Sequence, residues 1–259
     1  MSSIDKLFRL EDKVALVTGG YGGIGEAVCE GMAMAGAKIA IAGHNGQRAA
    51  DCAKSLSDRG YEAWSTSFEA TSVSETQRMV DEAISRFGRL DILVNCVGLN
   101  REELAGQVTE EMFDYVYSVN LKSAMFQAQA AAKYMIRQGG GRQIHLGSVR
   151  STLALRGRGY AAYCAAKGGL ITLCRQLSAE WAPDNVTVNV VAPTFIRTEQ
   201  VGKMLADPIF SSKLVERIPL GRIGEPADVM GAVLFFASPA SSFITGQTLY
   251  LDGGLTVTQ

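Results

Sequence analysis

Two side chains four residues apart, Tyr163 and Lys167, can share proton chemistry, and Ser148 lies a short way upstream. Residues at i and i+4 share one face of a helix, so a helix through Tyr163-Cys164-Ala165-Ala166-Lys167 sets a phenol beside an ammonium. A free tyrosine titrates near pH ~10, too high to act as a base at neutral pH. A fixed neighbouring cation favours phenolate and is expected to lower that value. A tyrosine so tuned can pass a proton to or from an alcohol oxygen. Tyr160 is a poorer partner, because it stands about two turns from Lys167; it reads as an aromatic wall of a substrate pocket or as helix packing. The glycine-rich turn Thr18-Gly19-Gly20-Tyr21-Gly22-Gly23-Ile24-Gly25 supplies what such proton transfer accompanies, a bound dinucleotide.

These groups need a scaffold, and the hydrophobic pattern predicts one. Val14–Val17, Ile39–Ala42, Ile92–Val94 and Val186–Val191 read as strands buried on both faces. Glu62–Ser67, Gln143–Leu146 and Thr248–Leu251 complete the set. Helical patterns fall at roughly 23–36, 46–59, 74–87, 109–138, 160–182 and 226–237. Ser74 with Gln77 reads as a capping box, and Pro226 suits a first helical turn. Strands alternating with helices predict an α/β fold: one Rossmann-like domain over 1–259, a doubly wound parallel sheet with helices on both faces. The less periodic stretch from about 194 to 224 reads as a lid over the site. In the glycine turn, Gly19 permits the tight bend, Gly23 lets a pyrophosphate approach the backbone, and Gly25 permits close helix packing. The helix N-terminus then faces the phosphates.

Composition excludes several classes. With 25 basic and 26 acidic side chains the formal net charge is -1, which gives no footprint for nucleic acid. No apolar run is long enough to span a membrane. The first ten residues lack the apolar core of a secretion signal. Five cysteines without a Cys-x-x-Cys pair fit reduced thiols, so a cytoplasmic location is expected. They read as small buried hydrophobes, with Cys164 as an oxidation-sensitive alternative. No metal-ligand spacing is visible, and His44 and His145 alone cannot make a site; His145 reads as a packed, hydrogen-bonded core residue.

The motifs, in this order, resemble those of the short-chain dehydrogenase/reductase family over essentially the whole chain. Thr-Gly-x-x-x-Gly-x-Gly is that family's cofactor turn. Asn95-Cys96-Val97-Gly98 stands for its Asn-Asn-Ala-Gly, with Asn95 and Gly98 kept. Asn120, Ser148, Tyr163 and Lys167 match its catalytic four. The resemblance implies that Tyr163 is the general acid or base, Lys167 lowers its pKa and holds the nicotinamide ribose, Ser148 binds the substrate oxygen, and Asn120 holds a relay water. It also assigns cofactor contacts to Thr18, Gly19, Tyr21, Gly23, Ile24, Gly25, His44, Asn45, Glu69, Ala70, Asn95, Gly98, Pro193, Thr194, Ile196 and Thr198, besides Tyr163 and Lys167. Glu69 replaces the aspartate that often meets the adenine, and Pro193-Thr194 replaces Pro-Gly. The second strand ends in Gly43-His44-Asn45 with no carboxylate, which leans toward NADP while leaving NAD open.

Gly98-Leu99-Asn100-Arg101 and Ser148-Val149-Arg150-Ser151 resemble the gluconate 5-dehydrogenase branch. The expected reaction interconverts a secondary alcohol and a ketone on a polyol, sugar or sugar acid. Arg101, Arg150 and Tyr160 are the substrate candidates, with Arg156 and Arg158 further possible anion ligands. A 3-oxoacyl-thioester reductase is the alternative, with Lys133, Arg137 and Arg175 as generic partner-docking cations. A non-catalytic nicotinamide sensor is the distant one, since Ser148, Tyr163 and Lys167 are all present. The family implies a homotetramer through two long helices and the last strand, and Ala124, Met125, Ala128, Ala131, Ala132 and Met135 suit close packing on one of them.

Overall fold

The computed structural model describes residues 3–258. A short leading helix, α1 (Ser3–Leu7), is followed by β1 (Val14–Thr18), α2 (Gly23–Met34), β2 (Lys38–Gly43), α3 (Gly46–Asp58), β3 (Ala63–Ser67), α4 (Val73–Phe87) and β4 (Ile92–Asn95). Then come α5 (Glu110–Tyr117), α6 (Ser123–Arg137), β5 (Gly141–Leu146), α7 (Ala161–Trp181) and β6 (Val186–Pro193). The chain ends with α8 (Glu199–Leu205), α9 (Pro208–Glu216), α10 (Pro226–Ala237) and β7 (Thr248–Leu251). The strands form one sheet in the order β3-β2-β1-β4-β5-β6-β7, and every pairing is parallel.

Successive residues of a strand point to opposite faces, so the sheet divides the core in two. Ala15, Val17, Ile39 and Ile41 pack with Val28 and Met32 of α2, Ala53 and Leu56 of α3, and Val229 and Val233 of α10. Leu16, Ala40 and Leu93 pack on the other face with Met79 and Val80 of α4 and Ala131 and Met135 of α6. Farther along that face, Ala124 and Ala128 meet Leu170, Cys174 and Leu177 of α7 over Val188 and Val190. Helices on both faces explain why β1, β4 and β6 are apolar at nearly every position and wholly buried. The strand order reverses at β1, which lies between β2 and β4. In open parallel sheets the crevice beyond the carboxyl ends at such a point receives ligands.

Four details depart from the sequence-based expectation. The pattern at 109–138 is not one regular helix: a π turn, Ser118–Lys122, separates α5 from α6 and carries Asn120. Ser72, not Ser74, caps α4 by accepting from the Glu75 amide; Ser74 bonds the Ser72 hydroxyl instead. The 194–224 stretch is not aperiodic but holds α8 and α9, joined over a small core of Leu205, Leu214, Ile218 and Ile223. Ala124, Ala128, Ala131, Ala132 and Met135 are buried within this chain, so that stripe is core and not a free association face. Pro226 does open α10, within a reciprocal cap between Glu225 and Asp228.

Candidate active site

The glycine turn joins β1 to α2 and is shaped by near contacts. Gly19 has φ +68, the left-handed region, and a Cβ there would lie 3.1 Å from the Cys96 carbonyl. A Cβ on Gly25 would stand 2.2 Å from the Gly19 oxygen, so the helix rests directly on the turn. A Cβ on Gly23 would also meet Thr198 at 2.7 Å. Thr198, at the start of α8, closes over the turn. No side chain caps the N-terminus of α2 at Gly22, which leaves its first amides available to an anionic ligand. Thr18 does not reach the cavity. It is buried behind the turn and donates to Gln127 at 2.7 Å and to Asn95 at 3.3 Å, tying β1 to β4 and α6.

Tyr21 does something the sequence does not announce. Its ring fills the space beside Gly43, where a Cβ would lie 2.3 Å from a ring carbon. Its hydroxyl accepts from the Asn45 amide at 3.0 Å and sits 2.8 Å from His44 Nδ1. Arg48 lies 5.3 Å over the same ring and 3.6 Å from Glu199 of α8. An acidic side chain at position 43 would therefore collide with Tyr21. Glu69 is occupied in its own turn, accepting from the Thr71 amide and hydroxyl. Asn45 caps α3 through the Arg48 amide. Tyr21, His44, Asn45, Glu69, Ala70 and Asn95 stand outside the cavity wall, whereas Arg48 and Glu199 lie in it.

Ser148 leaves the end of β5 and caps a 3-10 turn by accepting from the Arg150 amide at 3.1 Å. Tyr163 and Lys167 lie one turn apart on α7, as their spacing predicts. The expected cation-driven lowering of Tyr163 does not occur. Burial pushes its phenol up to about 12, and the hydrogen bond with Ser148 only partly offsets this. The Lys167 ammonium lies 5.8 Å from the ring centroid and donates to the Leu146 carbonyl at 2.7 Å. It is itself buried, which lowers it to about 8. At Tyr163 desolvation outweighs the lowering by Ser148 and Arg150.

Asn120 is held by its side chain on the π turn. Its amide donates to the Leu99 and Val116 carbonyls, both at 2.8 Å, and its oxygen accepts from the Leu99 amide at 3.3 Å. The side chain is spent on fixing the 98–100 loop. The π turn makes this possible, because the Val116 carbonyl is bonded by the side chain. Gly98 passes so close that a Cβ would be 3.0 Å from Asn120 Oδ1 and 3.2 Å from Lys167 Nζ. His145 is packed in the core, 3.4 Å from Asn95, and lowered to about 4 by burial. Among the described residues its Nε2 has no partner, so it is not fully hydrogen-bonded as expected.

The four candidate arginines separate cleanly. Arg101 is exposed, stacks 4.3 Å over Tyr115 and lies outside the cavity wall. Arg158 is held by Glu102. Arg156 is exposed. Arg150 alone is buried, 4% exposed, and lines the cavity beside Ser148. One of its nitrogens donates to the Leu153 carbonyl at 3.1 Å. Among the described residues no carboxylate forms a salt bridge with it, and burial lowers its pKa. Tyr160 also lines the cavity, edge-on to Tyr163 at 6.3 Å.

These groups face one cavity of about 800 Å³, walled by Gly19, Gly23, Ile24, Gly25, Gly98, Ser148, Arg150, Tyr160, Tyr163, Lys167, Pro193, Thr194, Ile196 and Thr198. The wall fits a dinucleotide on the structure's own terms. The α2 N-terminus has no side-chain cap, the turn is glycine-rich, and among the described residues the buried oxygens Thr194 Oγ1 and Asn100 Oδ1 have no partner.

Comparison with known proteins agrees. The family model described as enoyl-(acyl carrier protein) reductase matches residues 19–256. The chain belongs to the short-chain dehydrogenase/reductase family. It is 37% identical over 248 residues to the 2-dehydro-3-deoxy-D-gluconate 5-dehydrogenase of Escherichia coli (strain K12), covering 95% of this chain and 96% of that one. It is 36% identical over 256 residues to the D-threitol dehydrogenase of Mycolicibacterium smegmatis, covering 98% and 97%. The structure of a gluconate 5-dehydrogenase from Burkholderia cenocepacia J2315, in complex with NADP and tartrate, superposes with TM-score 0.95 at 36% identity, covering 99% of this chain and 100% of that one. The chain is an oxidoreductase of this family acting on CH–OH groups. Among the described residues no helix is long and apolar enough to cross a membrane, and no group of three metal-ligating side chains comes together.

Proposed function

We propose that the protein is an NAD(P)-dependent dehydrogenase that interconverts a secondary alcohol and a ketone on a polyol or sugar acid. One observation carries the reaction: Ser148, Tyr163 and Lys167 converge on the cavity that the glycine turn opens into. The cofactor supplies the hydride when bound. Tyr163, protonated across the neutral range, gives its proton to the carbonyl oxygen during reduction and takes it back during oxidation. Ser148 donates to the same oxygen, where charge grows. Lys167 braces the β5 end through Leu146 and would hold the nicotinamide ribose of a bound cofactor. Asn120 positions the Leu99 loop.

NADP is the favoured cofactor. Arg48 lies in the cavity wall, and Tyr21 occupies the place where a carboxylate would hold the free ribose hydroxyl of NAD. The complexed relative holds NADP, which is consistent with this reading. For the substrate, Arg150 favours a carboxylate-bearing sugar acid over a neutral polyol. A buried guanidinium with one carbonyl partner has donors left for a carboxylate. The same buried cation disfavours the acyl-thioester alternative, which needs an apolar groove.

Assembly is proposed as a homotetramer. β7 is an edge strand with Leu249 exposed, and Phe243 and Val257 lie fully or largely open nearby. Sedimentation as a monomer would remove that part, and a cytoplasmic location is proposed with it. The reaction is tested by following oxidation of NADH and NADPH with 5-ketogluconate, neutral ketoses and an acetoacetyl thioester. Faster turnover of the keto acid with NADPH is expected. Turnover of the thioester alone would replace this reading with the acyl reductase.

A further inference from the structure

Cys29 and Cys52 come together behind the glycine turn. Cys29 is on α2 and fully buried; Cys52 is on α3 and half-buried. Both thiols donate to one acceptor, the Gly20 carbonyl, at 3.4 and 3.7 Å. Burial first, then the neighbouring Cys52 side chain, pushes Cys29 well above the usual thiol value, while Cys29 beside it pulls Cys52 below it. Cys96 and Cys174 are buried and pushed up to about 12, and Cys164 is also raised. Cys52 is thus the thiol most able to ionise, it is reachable from solvent, and Cys29 reaches the same carbonyl.

The place where they meet has little slack. A Cβ on Gly20 would lie 2.9 Å from the Val17 oxygen, 3.0 Å from Cys29 Sγ and 3.1 Å from an Ile41 methyl. We propose that Cys29 and Cys52 form a reversible oxidation site that loosens the cofactor turn when it closes into a disulfide.

The oxidant is a peroxide. The Cys52 thiolate attacks one peroxide oxygen, the O–O bond breaks, and hydroxide leaves as water, giving a sulfenic acid. The Cys29 sulfur then attacks Cys52 sulfur; the S–O bond breaks and a second water leaves. Two electrons pass from the two thiols to the peroxide, and a dithiol reductant reverses the change. The sulfurs must close to about 2.05 Å, which draws α3 toward α2. Both thiol donors to Gly20 are lost in that step. The closed loop also contains β2 and its tip at Gly43–Asn45, which Tyr21 braces.

The test treats the whole protein with hydrogen peroxide and blocks remaining thiols with an alkylating reagent. Peptide mass spectrometry then looks for a Cys29–Cys52 cross-link, and NADPH affinity is titrated before oxidation, after it, and after dithiothreitol. The expected result is the cross-link together with a tenfold or greater, dithiothreitol-reversible loss of affinity. Cys52→Ser, at the half-buried position, should keep its affinity through the same treatment; Cys52→Ala serves if the serine variant folds poorly. Absence of the cross-link overturns the proposal. So does a cross-link with unchanged affinity, or an equal loss in the Cys52 variants.

Discussion

The two halves of the cavity are built by different means. The cofactor half, from β1 through the glycine turn to the β2 tip, is shaped by backbone and by missing side chains: Gly19, Gly25 and Gly43 each sit where a Cβ would strike a neighbour. The substrate half, from Ser148 to Tyr160 with α8 and α9 beyond it, is shaped by long side chains on loops and short helices, Arg150 and Tyr160 foremost. Tyr163 lies at the seam. A frame made of close backbone contacts tolerates no change and serves any substrate. A wall made of side chains can be re-cut without disturbing the frame, so chemistry and selectivity separate within one pocket.

The sharpest break falls at the seam. Tyr163→Phe removes the proton donor while leaving the ring, and turnover should drop by about 10²–10⁴-fold with cofactor affinity unchanged. The same phenol sets the pH profile. Because it is raised to about 12, its acid form is full at neutral pH, so reduction should be flat there. Oxidation needs the base form, so its kcat/KM should climb about tenfold per pH unit across the neutral range. A flat oxidation profile would show that another group takes the proton.

Next comes the frame. Gly25→Ala drives a methyl into the Gly19 carbonyl, and a loss of about 1–3 kcal/mol in stability is expected, with weakened binding of both nicotinamides. Thermal melts with and without cofactor measure it. A variant that melts normally and binds normally would mean the turn is looser than its contacts imply.

The wall should answer differently. Arg150→Met is expected to raise KM for a carboxylated ketone by roughly 10–100-fold, corresponding to about 1.5–3 kcal/mol for a hydrogen-bonded charge. KM for a neutral ketose and the affinity for cofactor should hold, and Arg150→Lys should recover part of the loss. Equal losses on both substrates would assign Arg150 to bracing Leu153 instead. The smallest effect belongs to Arg48, exposed and shared with Glu199: Arg48→Ala should weaken NADPH by about fivefold and leave NADH nearly untouched.

The same division explains what could be read from the sequence. The seven strands, the turn and the Tyr163–Lys167 spacing are local patterns, and local patterns survive folding. What escaped reading depends on distant partners. Tyr21 filling the space beside Gly43 joins two segments across β1 and β2. The sorting of four arginines turns on Glu102 and Tyr115, which no spacing connects to Arg158 or Arg101. The upward shift of Tyr163 reflects desolvation in the folded site, and Lys167 being drawn to Leu146 reflects the end of β5; both are tertiary facts. The π turn at Asn120 leaves the apolar pattern of 109–138 intact, so periodicity alone cannot see it.

The central claim is that Tyr163 delivers a proton to a substrate oxygen in a cavity whose cofactor frame is independent of it. Rapid mixing of the NADPH-loaded protein with 5-ketogluconate tests this directly, with wild type and Tyr163→Phe compared at matched cofactor saturation. The account predicts fast cofactor oxidation in the wild type and a loss of about 10²-fold or more in the variant at equal NADPH affinity. Comparable rates in the two proteins would contradict it.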